Sequence, residues 1–238
     1  MKTLIVSDYD GTLKKRGNES ELKQSIKQIK KIIDDNNTFM ISTGRLYKSM
    51  SFEVNEYDIP FNYISCANGN ILFDNNYNVI FKTNINSTII KDLQQYYNHI
   101  LSIEPLDEYG IITHNNPTEY LIKIINDIKI RRQIVNMLWK SPYVDYCTDG
   151  DNKYTIHVFN LSNKIRTIEI LRKKLKIPES AIYTIGDGIN DLNIIKKYNG
   201  ALVGDVFKND ENLNNLPKYD SFSACAEEIQ LNLKRRTK

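Results

Sequence analysis

Apolar residues in this chain fall into short unbroken runs and longer periodic stretches, and the two alternate. Thr3-Leu4-Ile5-Val6 followed by Ser7 has the length and continuity of a strand buried on both faces. Leu22, Ile26, Ile29 and Ile33 then recur at helical spacing along a lysine-rich segment, which predicts a helix with one apolar stripe. A second strand is expected over Thr38-Phe39-Met40-Ile41, ending at Ser42-Thr43-Gly44-Arg45. A third is expected over Tyr63-Ile64-Ser65-Cys66-Ala67, ending at Asn68-Gly69. Strands separated by helical patterns predict a parallel sheet with helices on both faces.

The rhythm changes after Asn68. Ile71-Leu72-Phe73 and Val79-Ile80-Phe81 flank Asp74-Asn75-Asn76-Tyr77-Asn78, whose turn-forming residues predict an antiparallel hairpin. From there to about residue 160, short strands such as Tyr143 to Cys147 and Tyr154 to Phe159 mix with helical patterns around Ile89 to Ile100 and Ile130 to Trp139. Asp149-Gly150-Asp151 between those two strands is a hairpin signal. This middle third reads as an α+β insertion with its own small sheet.

Alternation resumes at Lys164, with Ile165, Ile168, Leu171 and Leu175 on one helical face. Ala181-Ile182-Tyr183-Thr184-Ile185 is a buried strand ending at Gly186-Asp187-Gly188-Ile189-Asn190-Asp191. Leu192 to Tyr198 is then helical, Ala201-Leu202-Val203 a strand and Ala224 to Leu233 a closing helix. The expected fold class is α/β, a doubly wound parallel sheet carrying a smaller α+β unit. Residues 1–82 and 161–238 form the core and 83–160 the insertion.

Composition narrows the function. A chain of 238 residues, 41% hydrophobic and 26% charged, is an ordinary soluble protein long enough for a full core. Four apolar positions before Ser7 are too few for a signal-peptide core, and no later run has the length of a membrane span. A cytoplasmic location without a membrane partner is expected. The net charge of +3 is spread along the chain, and Leu233-Lys234-Arg235-Arg236 reads as a solvated helix end, so no nucleic-acid partner is expected. Cys66, Cys147 and Cys225 are scattered and read as buried, reduced thiols; His99, His114 and His157 read as structural or surface residues.

The remaining polar residues gather at strand carboxyl ends, where open α/β sheets bind ligands. Asp8 and Asp10, two apart, project to one side and share a pocket if the strand persists, and Gly11 permits a tight departure. Asp187 and Asp191 form a second acidic pair. Either pair alone is also what a turn or a helix N-terminus uses to satisfy its own backbone. Both pairs at the ends of strands in one sheet point to a shared cation, because crowded carboxylates need compensating charge. An oxygen-only ligand set favours a hard ion, with Mg2+ the natural candidate. Gly186 to Asp191 also invites comparison with a dinucleotide fingerprint, Asp205 lying about twenty residues on, but the third glycine is missing and two acids would face the pyrophosphate. Ser42-Thr43-Gly44-Arg45 offers a hydroxyl, backbone N–H groups and a guanidinium suited to phosphate, or else an ordinary N-cap with a surface arginine. Lys164 sits near a helix start, where a cation opposes the dipole.

In order, Asp8-Tyr9-Asp10-Gly11-Thr12-Leu13, Ser42-Thr43-Gly44-Arg45, Lys164 and Gly186-Asp187-Gly188-Ile189-Asn190-Asp191 resemble the four motifs of the haloacid dehalogenase (HAD) superfamily, most closely its Cof-type sugar-phosphatase branch. The resemblance covers the two core segments and implies a Rossmann-like core with residues 83–160 as an inserted cap. It further implies a magnesium-dependent phosphoric monoester hydrolase that acts on small phosphorylated metabolites, sugar phosphates foremost, through an aspartyl-phosphate. By resemblance Asp8 is the nucleophile and Asp10 the general acid and base. Asp8, Asp10 (through its carbonyl), Asp187 and Asp191 hold the metal. Thr43, Gly44, Lys164 and Asn190 bind or orient the phosphate, and Arg45 and Asn68 are further substrate contacts. Two departures stand out: the insertion is short for the branch, and Gly204-Asp205-Val206 replaces the branch's Gly-Asn-Ala. The competing readings are a phosphomannomutase-like phosphohexomutase, which shares the motifs, and a non-catalytic phospho-accepting module, which has no use for Asp10 or for a cap. A monomer or homodimer is expected.

Overall fold

The computed structural model describes residues 2–15, 17–148, 152–207 and 210–236. Along the chain the elements are β1 (Leu4–Ser7), α1 (Glu19–Asp34), β2 (Thr38–Ser42), α2 (Tyr47–Tyr57), β3 (Tyr63–Cys66), β4 (Ile71–Asp74), β5 (Val79–Lys82), α3 (Thr88–Asp92), β6 (Ile100–Leu106), β7 (Glu119–Ile124), α4 (Ile128–Trp139), β8 (Val144–Thr148), β9 (Thr155–Asn160), α5 (Ile165–Leu175), β10 (Ile182–Gly186), α6 (Leu192–Lys197), β11 (Asn199–Val203), β12 (Lys218–Tyr219) and α7 (Phe222–Arg236). Short 3₁₀ turns join several of them.

The chain divides into two compact units, Met1–Arg45 with Met50–Ile80 and Asn163–Lys238, and Leu46–Ser49 with Phe81–Ser162. The first carries a sheet in the order β12-β11-β10-β1-β2-β3-β4-β5. Strands β12 to β3 run parallel and β4 turns back antiparallel to β3. Strands β1, β2 and β10 are buried along their whole length, as unbroken apolar runs require. Thr184 on β10 donates to the Ile194 carbonyl in α6, whereas Phe222 on α7 packs edge-on against Phe39 of β2. The sheet is thus α/β and mixed, its parallel core matching the expected class.

Helix α1 buries Leu22, Ser25, Gln28, Ile29 and Ile32, so the buried face is turned from the expected stripe and leaves Ile26 and Ile33 half-buried. The cause is α7, where Glu227 accepts from the Gln28 amide and Gln230 donates to the Gln28 carbonyl.

The second unit holds an antiparallel sheet in the order β6-β7-β9-β8. Ile122, Ile124, Ile156, Val158 and Val144 from its strands pack with Ile89, Leu93, Ile134 and Leu138 into one apolar core. Asp127 caps α4 by accepting from the Lys129 and Ile130 N–H groups. The helix expected over Ile89 to Ile100 is a short α3 followed by a 3₁₀ stretch at Leu93–His99, and Ile100 already belongs to β6. The run Gln94 to His99, with two tyrosines, asparagine and histidine, has little propensity to hold an α-helix. Strands β6 and β7 escape the sequence pattern. Pro105 argues against a strand, but β6 lies at a sheet edge, where proline is tolerated. The Asp149-Gly150-Asp151 signal lies outside the described residues. Among the described residues no helix is long and apolar enough to cross a membrane. Cys66 and Cys225 are buried, whereas Cys147 on β8 is half-exposed, a correction to the expectation of three buried thiols.

Candidate active site

Strand register assembles the site. Ser7 pairs with Ile185 on one side and Ile41 on the other, and the Asp8 N–H extends the ladder by donating to the Ile185 carbonyl. The residues that follow β1, β2 and β10 therefore leave the sheet side by side. Thr43 and Arg45 are then laced to the turn after β3, with Thr43 N–H donating to Ser65, Asn68 N–H to Thr43 and Ala67 N–H to Arg45 carbonyls.

Asp8, Asp187 and Asp191 converge, each offering one carboxylate oxygen within 4.8 Å of the others. Lys164 stands at the N-terminal boundary of α5 yet is buried, because its ammonium donates to Asp8 Oδ1 at 2.5 Å and to Asp191 Oδ1 at 2.7 Å. Two buried carboxylates outweigh the opposing helix dipole. Asp191 Oδ2 accepts from the Gly188 N–H at 3.0 Å, and Asp187 Oδ1 accepts from the Thr12 hydroxyl at 2.7 Å. Gly11 adopts φ +83°, and a Cβ there would stand 2.1 Å from Asp187 Oδ2, so only glycine lets the turn pass this carboxylate.

The charges do not balance. Three carboxylates face one ammonium, an excess of two negative charges if all are ionised. Burial pushes the Asp8 carboxyl up to about 7, with Asp191 and Asp187 adding to the rise and Lys164 opposing it. Burial likewise raises Asp187 against its Thr12 hydrogen bond. Burial draws the Lys164 ammonium down, but Asp8 and Asp191 more than offset this and hold it above the usual lysine range. The excess of carboxylates over ammonium and the all-oxygen donor set fit a hard divalent cation. Asp8, Asp187 and Asp191 are therefore the residues that could hold such an ion.

Asp10 does not share that pocket. The strand stops at Ser7, and a turn begins in which the Tyr9 carbonyl accepts from the Leu13 and Lys14 N–H groups. Whereas the Asp8 side chain is 9% exposed, the Asp10 side chain is 54% exposed and bonds bidentately to Arg45 at 2.8 and 2.7 Å. The expectation of a common projection fails because the extended geometry ends before Asp10. Arg45, expected as a substrate contact, has its guanidinium shared between Asp10 and Glu53, the latter at 2.9 Å. Thr43 is buried and its hydroxyl accepts from the Arg45 N–H. Gly44 and Asn68 adjoin one another, a Cβ on Gly44 standing 3.1 Å from Asn68 Oδ1, and Asn68 has φ +52°. Asn190 is exposed. Sequence reasoning missed Glu53, which accepts from Tyr9, Lys14 and Arg45, and the role of Thr12 toward Asp187. The Tyr9, Lys14 and Thr12 contacts join residues far apart in sequence, so no local spacing announces them.

The profile of the haloacid dehalogenase-like hydrolase family matches residues 5–123, half the chain, and the chain belongs to that family of hydrolases. No curated protein matches it. Among solved structures, a haloacid dehalogenase-like hydrolase from Bacteroides thetaiotaomicron superposes with a TM-score of 0.72 at 17% identity, over 96% of this chain and 100% of that one. A HAD phosphatase from the same organism gives 0.67 at 16% identity, over 97% and 94%. A sugar phosphatase of HAD subclass IIB gives 0.67 at 14%, over 96% and 99%. At these identities the likeness concerns the fold.

Proposed function

We propose that the protein is a magnesium-dependent phosphomonoesterase of Cof type acting on small phosphorylated metabolites, sugar phosphates foremost. The carrying observation is the convergence of Asp8 with Asp187 and Asp191, whose negative charge Lys164 alone does not balance. The subclass IIB sugar phosphatase among the structural relatives supports the substrate class.

In this reading the Asp8 carboxylate attacks phosphorus while the P–O bond to the leaving group breaks, giving an aspartyl-phosphate. Asp10 gives its proton to the departing alkoxide. Its carboxylate then takes a proton from the water whose oxygen attacks the aspartyl-phosphate, releasing inorganic phosphate and restoring Asp8. Asp8, Asp187, Asp191 and the Asp10 carbonyl would hold Mg2+, which supplies charge neutralisation between nucleophile and phosphoryl oxygens when bound. Lys164, the Thr43 hydroxyl and the Gly44 N–H position the phosphoryl group, since positioning and charge dominate this chemistry. Asn190 and Asn68 complete the substrate's surroundings, and Arg45 serves Asp10. The division at residues 1–82, 83–160 and 161–238 belongs to the same proposal, with the middle segment choosing the leaving group.

Phosphate release from a panel of sugar phosphates, measured with magnesium and with EDTA, tests the reading. Release must require magnesium and vanish in Asp8→Asn. Undiminished release by that variant would remove the nucleophile, and an isomeric sugar phosphate as product would mark a mutase instead.

A further inference from the structure

Glu53 lies on α2, outside all four motifs, with a side chain only 12% exposed. Its Oε2 accepts from the Tyr9 hydroxyl at 2.7 Å and from the Lys14 ammonium at 2.6 Å, and its Oε1 accepts from Arg45 at 2.9 Å. Those donors hold down a particular piece of chain. Tyr9 stands between Asp8 and Asp10, and Lys14 closes the same turn by pairing with Asp10 and by accepting from the Gly11 N–H. Arg45 then returns from Glu53 to grip both oxygens of Asp10, and its guanidinium lies 5.0 Å from the centre of the Tyr9 ring. One carboxylate thus fixes the turn that carries Asp10 from below and its guanidinium clamp from the side. Glu53 and Asp10 match Arg45 and Lys14 in formal charge, unlike the neighbouring acidic trio.

We infer that Glu53 is a positioning residue for Asp10, acting through Arg45 and through the Tyr9–Lys14 turn. The inference rests on the acid and base role proposed above for Asp10. An aspartate 54% exposed samples several rotamers unless held, and a general acid works only within hydrogen-bond reach of the leaving oxygen. To hand over a proton, Asp10 must release one of its two Arg45 contacts. The Glu53 contact keeps the guanidinium in place while it does so, and the carboxylate recovers the same geometry for the second step. Glu53 is pulled below the usual glutamate range, its burial being outweighed by Lys14, Tyr9 and Arg45, so it is a carboxylate throughout.

Leaving-group dependence separates positioning from mere support of the fold. An alkyl phosphate such as glucose 6-phosphate needs a proton on its departing oxygen, whereas p-nitrophenyl phosphate leaves as a stabilised anion. Both are assayed on the magnesium-loaded enzyme, wild type against Glu53→Ala and the shape-conserving Glu53→Gln. The expected result for Glu53→Ala is a fall in kcat/KM of about 10- to 100-fold for the alkyl phosphate but no more than about 3-fold for the aryl phosphate. Glu53→Gln, which keeps the packing but loses the charge, shows the same asymmetry in reduced form and carries the test if Glu53→Ala fails to fold. Equal falls for both substrates, or no fall for either, would overturn the positioning role and leave the catalytic reading standing. A wild-type enzyme inert toward both esters would overturn the catalytic reading and this inference with it.

Discussion

The Lys164 ammonium donates to the Asp8 carboxylate at 2.5 Å across 156 residues of sequence, and the same nitrogen reaches Asp191 at 2.7 Å. One buried cation therefore ties the end of the first strand to the turn after β10, and among the described residues it is the only positive side chain in an ion pair with the acidic trio. Removing it leaves buried carboxylates facing each other. Lys164→Met is predicted to lose about 3–5 kcal/mol in urea unfolding in EDTA. Magnesium should return part of that loss, because a divalent ion supplies the missing charge. Unchanged stability in EDTA would show that the trio tolerates its own repulsion.

The raised Asp8 carboxyl gives a pH dependence whose sign is fixed. Asp8 holds its proton up to about 7 in the fold and ionises near 3.8 when unfolded. The folded state thus binds more protons between those values, so this contribution is full below about 3.8 and is lost as pH rises to about 7. Comparing wild type with Asp8→Asn in EDTA isolates it. Wild type should lose stability relative to the variant between pH 4 and 7, by more than about 1 kcal/mol, and magnesium should abolish the difference. A flat difference would show that burial does not raise the Asp8 carboxyl.

Thr12→Val keeps the shape of the side chain and deletes its 2.7 Å hydrogen bond to Asp187. The variant is predicted to bind magnesium about 10-fold more weakly by calorimetry, as loss of contacts that orient a ligand commonly does. Equal affinity would mean that Asp187 is held by other means.

Gly11→Ala places a methyl group 2.1 Å from Asp187 Oδ2 at a backbone position with φ +83°. A stability loss of about 1–3 kcal/mol is expected, together with magnesium binding weakened further than in Thr12→Val. Thermal melts with and without magnesium measure both effects.

Much of this arrangement is legible in the sequence because buried parallel strands announce themselves. Leu4 to Ser7, Thr38 to Ser42 and Ile182 to Gly186 are apolar runs too short for helices, and each ends in polar residues that the parallel pairing carries to one edge. That is why Asp8, Thr43, Asp187 and Asp191 can be picked out beforehand, whereas Lys164 is marked by its place at the start of α5. The turn at Tyr9 is less legible, because a strand's end depends on which carbonyl the next N–H groups find, and here Leu13 and Lys14 find Tyr9. Asp10 consequently goes to Arg45. Strand β6 hides behind Pro105, and β12, two residues long, carries too little pattern to read. Glu53 carries no signal at all, since its meaning lies wholly in three donors from other elements.

The most direct test is anomalous scattering from a crystal of the protein soaked in manganese, used as a stand-in for magnesium. A single strong peak is expected among the carboxylates of Asp8, Asp187 and Asp191, about 2.0–2.3 Å from its oxygen ligands. A crystal that takes up manganese elsewhere and leaves these three carboxylates without a peak would contradict that expectation.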